Sequence, residues 1–325
     1  MSVSTRGIHD RSIVECPIAV IDFETTGFTP GIDRVVEASV VRLDPGQPPR
    51  LAFDTLVNPR RRMAATEIHG ITDEDVSDAP YFEDIAGEFI RSISNCVLSA
   101  YNVYFDMRFL EYELGLTGAV PSSPHFCLMY MRPMLGLGGR CRLEEACQSH
   151  GIEHETAHVS GQDAQASGRL LVRYLQIMKE RRISTFRELA ALKSYKFTQS
   201  FDLPPLLDSD QYQLRACGRL KSRCGTAAQT ATLPTDPTRK ALGAYWEALK
   251  NVLSDLRIND DDLVYITDLR NQLQLKEEQV RGLHARAFAS AILQFIDDRW
   301  LDDREARKLE RLHSCLRQLG WAPGL

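Results

Sequence analysis

The segment Cys16-Pro-Ile-Ala-Val-Ile-Asp-Phe-Glu-Thr-Thr-Gly27 combines an apolar run with two closely spaced carboxylates. The run predicts a short buried strand. Because successive side chains of a strand point to opposite faces, Asp22 and Glu24 should share one face while Phe23 enters the core. Taken alone, this motif also fits two solvent-facing acids on an edge strand. Gly27 is expected in the turn that follows.

The rest of the first half alternates between strand and helix patterns. Further strands are predicted at 34–43, 51–57 and 97–100. Apolar residues at helical spacing predict helices at 78–93, 105–116, 143–150 and 164–181. Strands followed by alternating helices and strands indicate an α/β domain with a mixed sheet flanked by helices.

An irregular segment separates this domain from a helical region. Periodicity fades between 195 and 240, where proline and small residues have the composition of a linker. Beyond it, helices are predicted at 238–256, 260–274, 276–297 and 303–319. The expected organisation is a flexible N-terminus (1–14), an α/β domain (15–185), a linker or extension (186–237) and a separate all-α helical bundle (238–325).

Two further groups of polar residues lie at predicted helix starts. Asn102 and Asp106 are four positions apart, so both can face one cleft, although a simple N-cap with an acid in the first turn is an equal alternative. His158 and Asp163 lie on either side of a glycine, on a loop that runs into a helix. Together with Asp22 and Glu24, these acids could bind the hard divalent cations that phosphodiester hydrolysis uses, and a histidine could activate water near neutral pH.

These motifs resemble those of a known family. The residues Asp22-Phe-Glu-Thr-Thr-Gly27, Asn102-x-x-Phe-Asp106 and Ala157-His-(x)4-Asp-Ala164 resemble the DEDDh 3′–5′ exonucleases. That family includes the epsilon subunit of bacterial DNA polymerase III, RNase T and oligoribonuclease. The segment His69-Gly-Ile-Thr72 resembles the stretch that those proteins carry between the first two motifs. The resemblance covers residues 15–182 and implies an RNase H-like fold.

The resemblance also implies roles for individual residues. The ligands of two Mg²⁺ or Mn²⁺ ions would be Asp22, Glu24, Asp106 and Asp163, and His158 would be the general base. The 3′-terminal nucleotide would contact Thr25, Gly27, Phe28, His69, Ile71 and Asn102. Tyr101 stands where many relatives have a histidine, which should alter the packing near the pocket and leaves the substrate preference open. The C-terminal helices resemble, more loosely, the tellurite-resistance TerB-like domain, which has similar acidic turns between helices.

Composition and charge limit the cellular location and the kind of nucleic-acid binding that this protein can have. No run approaches the roughly 20 apolar residues of a membrane span, and the polar N-terminus lacks a signal-peptide core. Eight scattered cysteines without a Cys-x-x-Cys pair suit reduced thiols, so a cytoplasmic protein without membrane attachment is expected. A net charge of −5 argues against coating long duplexes, but not against acting on a nucleic-acid end through bound cations.

The leading hypothesis is therefore a metal-dependent 3′–5′ exonuclease fused to a helical interaction domain. Its expected substrates are single-stranded DNA 3′ ends in repair or replication, with nucleoside 5′-monophosphates as products and a protein partner for the helical domain. One alternative is an exoribonuclease that trims RNA ends or short oligonucleotides. Another is a non-catalytic scaffold that binds nucleic-acid ends.

Overall fold

The computed structural model describes most of the chain as two compact units. It covers residues 7–27, 30–31, 33–63, 69–119, 123–154, 160–206, 237–253, 256–296 and 303–323. The first unit comprises Met1–Glu24, Val35–Arg62 and Asp73–Gln229, and the second comprises Thr25–Arg34, Met63–Thr72 and Thr230–Leu325. Within the described ranges, no helix is both long and apolar enough to cross a membrane.

A five-stranded mixed sheet forms the centre of the fold. Its strands are β1 (Ile18–Thr25), β2 (Val35–Leu43), β3 (Arg50–Leu56), β4 (Val97–Ala100) and β5 (His125–Cys127), in the spatial order β3-β2-β1-β4-β5. The pair β2/β3 is antiparallel, whereas β1/β4 and β4/β5 are parallel. The expected architecture, a mixed sheet flanked by helices and followed by a helical region, is confirmed.

Helices accompany the sheet. They are α1 (Asp73–Val76), α2 (Phe82–Ile93), α3 (Val103–Leu116), α4 (Leu128–Met134), α5 (Leu143–Gln148), α6 (Ser160–Glu180) and α7 (Phe186–Leu192), with 3-10 turns at Ile13–Glu15 and Lys196–Asp202. The apolar residues that predicted α2 are all buried. This helix begins at Phe82, later than the predicted residue 78, because Asp84 accepts a hydrogen bond from the Tyr81 amide and so caps it there.

Helix α6 packs closely on β2. At Gly168 an added Cβ would lie 2.8 Å from Cγ1 of Val41, a separation that real Cβ atoms essentially never show. The absence of a side chain at this position therefore lets the helix approach the sheet. This close packing matters for the site, because the first turn of α6 carries Asp163.

The segment predicted as a linker or extension begins as packed structure. Helix α7 and the turn Lys196–Asp202 contribute Phe186, Phe197 and Phe201, all nearly inaccessible. The rings of Phe186 and Phe201 meet edge to face, with centroids 5.2 Å apart. Leu206, in a stretch read as linker, is buried as well, and its carbonyl accepts from the Asn95 amide. Residues 186–206 thus extend the first unit, whereas 207–236 lie outside the described residues.

The described residues of the second unit form four long helices. They are α8 (Pro237–Leu253), α9 (Asp260–Gln272), α10 (Glu277–Ile296) and α11 (Asp303–Gln318). Their apolar core includes Tyr245, Trp246 and Trp321. The acidic turn before α9 is a helix cap, because Asn259 and Asp262 each accept a hydrogen bond from the other's backbone amide, at 2.9 and 3.0 Å. The TerB-like resemblance stays a prediction.

Candidate active site

Strand β1 presents Asp22 and Glu24 on one face. Phe23 points the other way and is buried against Phe89, with ring centroids 5.6 Å apart. β1 lies in the middle of the sheet, which excludes the alternative of two acids on an edge strand. Glu24 is only 5% exposed and Asp22 is partly exposed. Two carboxylates therefore occupy a largely enclosed surface next to the end of the strand.

Helix α3 brings Asp106 to the same strand. The Phe23 amide donates to Oδ1 of Asp106 at 3.0 Å, across 83 positions of sequence. The sheet explains this contact: β4 runs parallel beside β1, so both strands end at one edge, and α3 starts three residues after β4. The bond holds the Asp106 carboxylate at Phe23, the residue that lies between Asp22 and Glu24 in the chain.

Asn102 does not behave as an ordinary helix cap. It occupies the N-cap position of α3, yet its side chain makes no capping hydrogen bond. The residue is 8% exposed, and neither Oδ1 nor Nδ2 has a partner among the described residues. Leaving both atoms unsatisfied costs about 1–3 kcal/mol per group, so a polar ligand at this position would be stabilised.

A buried polar network docks α6 against β1 and β2. The Ser160 hydroxyl donates to the Asp22 carbonyl at 2.9 Å and lies 2.6 Å from the Ser39 hydroxyl. The Ser160 amide donates to Oε2 of Glu37 at 3.1 Å, and Glu37 is fully buried. A carboxylate at a helix N-terminus is favourable, because the amides there lack intrahelical acceptors. These residues were not predicted from the sequence, although an acid and a serine inside the apolar strand β2 were a usable signal.

The packing of α6 completes a carboxylate cluster. Asp22, Glu24 and Asp163 each offer one oxygen, and these oxygens lie within 4.8 Å of one another. Asp106 contacts the same strand through Phe23. Carboxylates so close repel one another unless positive charge is nearby, and carboxylate oxygens are the donors that Mg²⁺ and Mn²⁺ prefer. The residues present therefore fit a divalent cation.

Histidine enters the site at an unexpected position. The predicted base, His158, falls within 155–159, outside the described residues. His154, which is not among the predicted site residues, contacts Oδ1 of Asp163 through Nε2. The signal in the sequence was that His154 lies four positions before the predicted base, His158.

The residues predicted to contact the nucleotide are arranged as follows. The Thr25 hydroxyl donates to the Gly27 carbonyl at 2.5 Å. A Cβ at Gly27 would lie 2.6 Å from the Asp33 carboxylate, so this turn requires glycine. His69 is buried and accepts from the Ile71 amide through Nδ1 at 3.1 Å. Thr25, Gly27, His69 and Ile71 belong to the second unit. Phe28 lies outside the described residues. Their role as substrate contacts stays a prediction.

Tyr101 ties the end of β4 to a neighbouring loop. Its hydroxyl donates to the Cys141 carbonyl at 2.6 Å, and its own carbonyl accepts from Sγ of Cys127 at 3.2 Å. Burial raises the pKa of the Cys127 thiol to about 11, with a further contribution from the Asp106 carboxylate. Asp106 is itself only 5% exposed, and low exposure strengthens electrostatic interactions.

The comparisons with known proteins agree with this geometry. Residues 19–171 match the family model RNase_T, described as Exonuclease. The matched region runs from β1 into α6 and includes all four acids and His158. This part of the chain is therefore similar to exonucleases.

Curated relatives cover the same part of the chain. The DNA polymerase III PolC-type protein of Oceanobacillus iheyensis is 32% identical over 189 residues, which is 55% of this chain and 13% of the relative. The PolC-type protein of Thermotoga petrophila is 27% identical over 57% of this chain and 14% of its own length. The DNA polymerase III subunit epsilon-like protein of Rhodobacter capsulatus is 31% identical over 54% of this chain and 27% of its own length. The chain therefore spans well under a third of these relatives.

A solved structure, Exonuclease X in complex with 5′ overhanging duplex DNA, aligns with a TM-score of 0.43 at 23% identity, covering 54% of this chain and 99% of that one.

Proposed function

We propose that this protein is a metal-dependent 3′–5′ exonuclease that hydrolyses terminal phosphodiesters of single-stranded nucleic acid, with DNA favoured. The observation that carries the proposal is the convergence of Asp22, Glu24 and Asp163 within 4.8 Å, with Asp106 bonded to the same strand. The names of the polymerase III relatives support DNA as the substrate and a setting in replication or repair.

Each part of the site has a defined task in this proposal. Asp22, Glu24, Asp106 and Asp163 would hold two Mg²⁺ or Mn²⁺ ions, which stabilise charge on the attacking and leaving oxygens when bound. His158 would accept the proton of the attacking water. Asn102, whose polar atoms are buried without described partners, would hydrogen-bond the terminal nucleotide. The product is a nucleoside 5′-monophosphate.

The test uses the full chain with 5′-labelled single-stranded DNA and RNA of one sequence, each with Mg²⁺, Mn²⁺ or EDTA. A metal-dependent ladder that shortens from the 3′ end is expected. His158→Ala should lower the rate by about 10²–10⁴-fold, the usual contribution of a general base. Asp163→Asn should abolish cleavage, whereas Glu180→Gln, an exposed acid at the far end of α6, should leave it unchanged.

Each other outcome has a definite meaning. Preferential cleavage of the RNA would establish the exoribonuclease alternative. Full activity of Asp163→Asn would show that the ligand assignment is wrong. Absence of cleavage by the wild type with either metal would overturn the enzyme and favour a scaffold that binds nucleic-acid ends.

A further inference from the structure

The side chain of His154 is little exposed, and its contact with the carboxylate cluster has no counterpart in the sequence motifs. Its side chain is 6% exposed, and Nε2 contacts Oδ1 of Asp163, nine positions later in the chain. The side chain of Asp163 is itself only 14% exposed. Both side chains of this contact are therefore little exposed, which strengthens a hydrogen bond to a charged group.

The contact does not make His154 part of the cluster. The three oxygens that lie within 4.8 Å of one another come from Asp22, Glu24 and Asp163, and the described histidines contribute no ring nitrogen to that group. His154 contacts one of the three carboxylates from outside. A residue in this position orients a ligand and does not itself bind the ion.

The second ring nitrogen indicates which tautomer forms the contact. Nδ1 is buried and has no partner among the described residues. With a hydrogen, Nδ1 would be a buried donor without an acceptor. This is less favourable than Nδ1 as a buried acceptor without a donor. The unpartnered Nδ1 thus favours a hydrogen on Nε2, which donates to Oδ1 of Asp163.

We propose that His154 is a positioning residue, which holds Asp163 in the orientation that binds a divalent cation and so raises the affinity of the carboxylate cluster. The inference rests on the proposed metal-binding function of that cluster. Asp163 lies in the first turn of α6, and the bond from His154 restricts the two side-chain torsions that orient its carboxylate. Loss of an outer hydrogen-bond partner typically weakens metal binding by about 10–100-fold.

The surroundings of His154 tolerate replacement. Its ring lines an open groove of about 610 Å³ together with Gln162, Gln165 and Arg169. A side chain of similar or slightly larger volume can extend toward this groove without displacing the core. This makes two substitutions informative. His154→Phe keeps a ring without the donor, and His154→Gln keeps a donor without the ring.

The test measures Mn²⁺ binding to the full chain by electron paramagnetic resonance of the free ion, without nucleic acid. His154→Phe should weaken binding by about 10–100-fold, while His154→Gln should stay within about threefold of wild type. His150→Ala is the matched control: this histidine lies on the same loop but packs edge to face on Tyr174, with centroids 5.7 Å apart. It should bind Mn²⁺ like the wild type.

A second background separates positioning from general disturbance of the fold. If His154 acts through Asp163, His154→Phe should have no further effect on Mn²⁺ affinity in an Asp163→Asn protein. Wild-type affinity in His154→Phe would overturn the positioning role alone, as would equal weakening in both backgrounds. Failure of the wild-type protein to bind Mn²⁺ would instead overturn the metal site, and with it the proposed function.

Discussion

The network beneath α6 makes a quantitative prediction for Ser160→Ala. The change removes a fully buried hydroxyl that donates to the Asp22 carbonyl and contacts the Ser39 hydroxyl. The hydroxyl has one proton for these two acceptors, because Ser39 donates its own to Asp54. Removing that donor leaves a buried acceptor unsatisfied, which costs about 1–3 kcal/mol. For a unit of this size, about 2–4 °C in Tm corresponds to 1 kcal/mol, so the midpoint should fall by several degrees.

The measurement must report on the first unit. All three tryptophans lie at 246, 300 and 321, so their fluorescence does not follow it. Hydrogen-exchange mass spectrometry of β1 peptides reports on the first unit. The free energy of opening of these peptides should fall by the same amount, about 1–3 kcal/mol. Ser77→Ala is the control, because that exposed hydroxyl makes one hydrogen bond, to the Glu74 carbonyl. If the free energy of opening of β1 is the same in the two variants, within about 0.5 kcal/mol, the buried network does not hold helix α6 against the sheet and the reasoning fails.

Two further predictions concern packing and pH. Gly168→Ala should destabilise the first unit by about 1–3 kcal/mol, because its Cβ would clash with Val41. In a Val41→Ala background, Gly168→Ala should lower the free energy of unfolding, measured in urea, by at least about 1 kcal/mol less than in the wild type. If the effects of the two substitutions simply add, the clash is contradicted. In the second unit, burial lowers the pKa of His284 to about 4. The unfolded chain then binds the extra proton below about pH 6.5, so stability should fall as pH drops from about 6.5 to 4, by up to about 1.4 kcal/mol per pH unit. Tryptophan fluorescence measures this, and His284→Gln should flatten the dependence whereas His313→Gln should not.

The sequence predicted those parts of the fold whose signal is local. Helix α2 and the four C-terminal helices were located to within a few residues because apolar spacing and capping residues act over one or two turns. Strand β5 and helix α4 were not predicted. A three-residue strand has too few positions to show a period, and its place in the sheet depends on pairing with β4.

The aromatic residues between 186 and 202 show the same limit. Proline and small residues further along suggested a linker, yet Phe186 and Phe201 are buried against each other. Their packing stabilises the segment, and no periodic pattern accompanies it. Composition alone therefore placed the start of irregular structure too early.

The sequence by itself determined which chemical groups are available. The alternation of Asp22 and Glu24 on an apolar strand follows from the geometry of a single element, and it holds wherever that strand lies. The tertiary structure decided what those groups contact. Asp106 meets Phe23 across 83 positions, and Ser160 meets Asp22 across 138. His154 joins Asp163 through a loop without a periodic pattern. Such contacts depend on how separate elements pack, because hydrogen bonds between distant segments leave no regular spacing in the sequence.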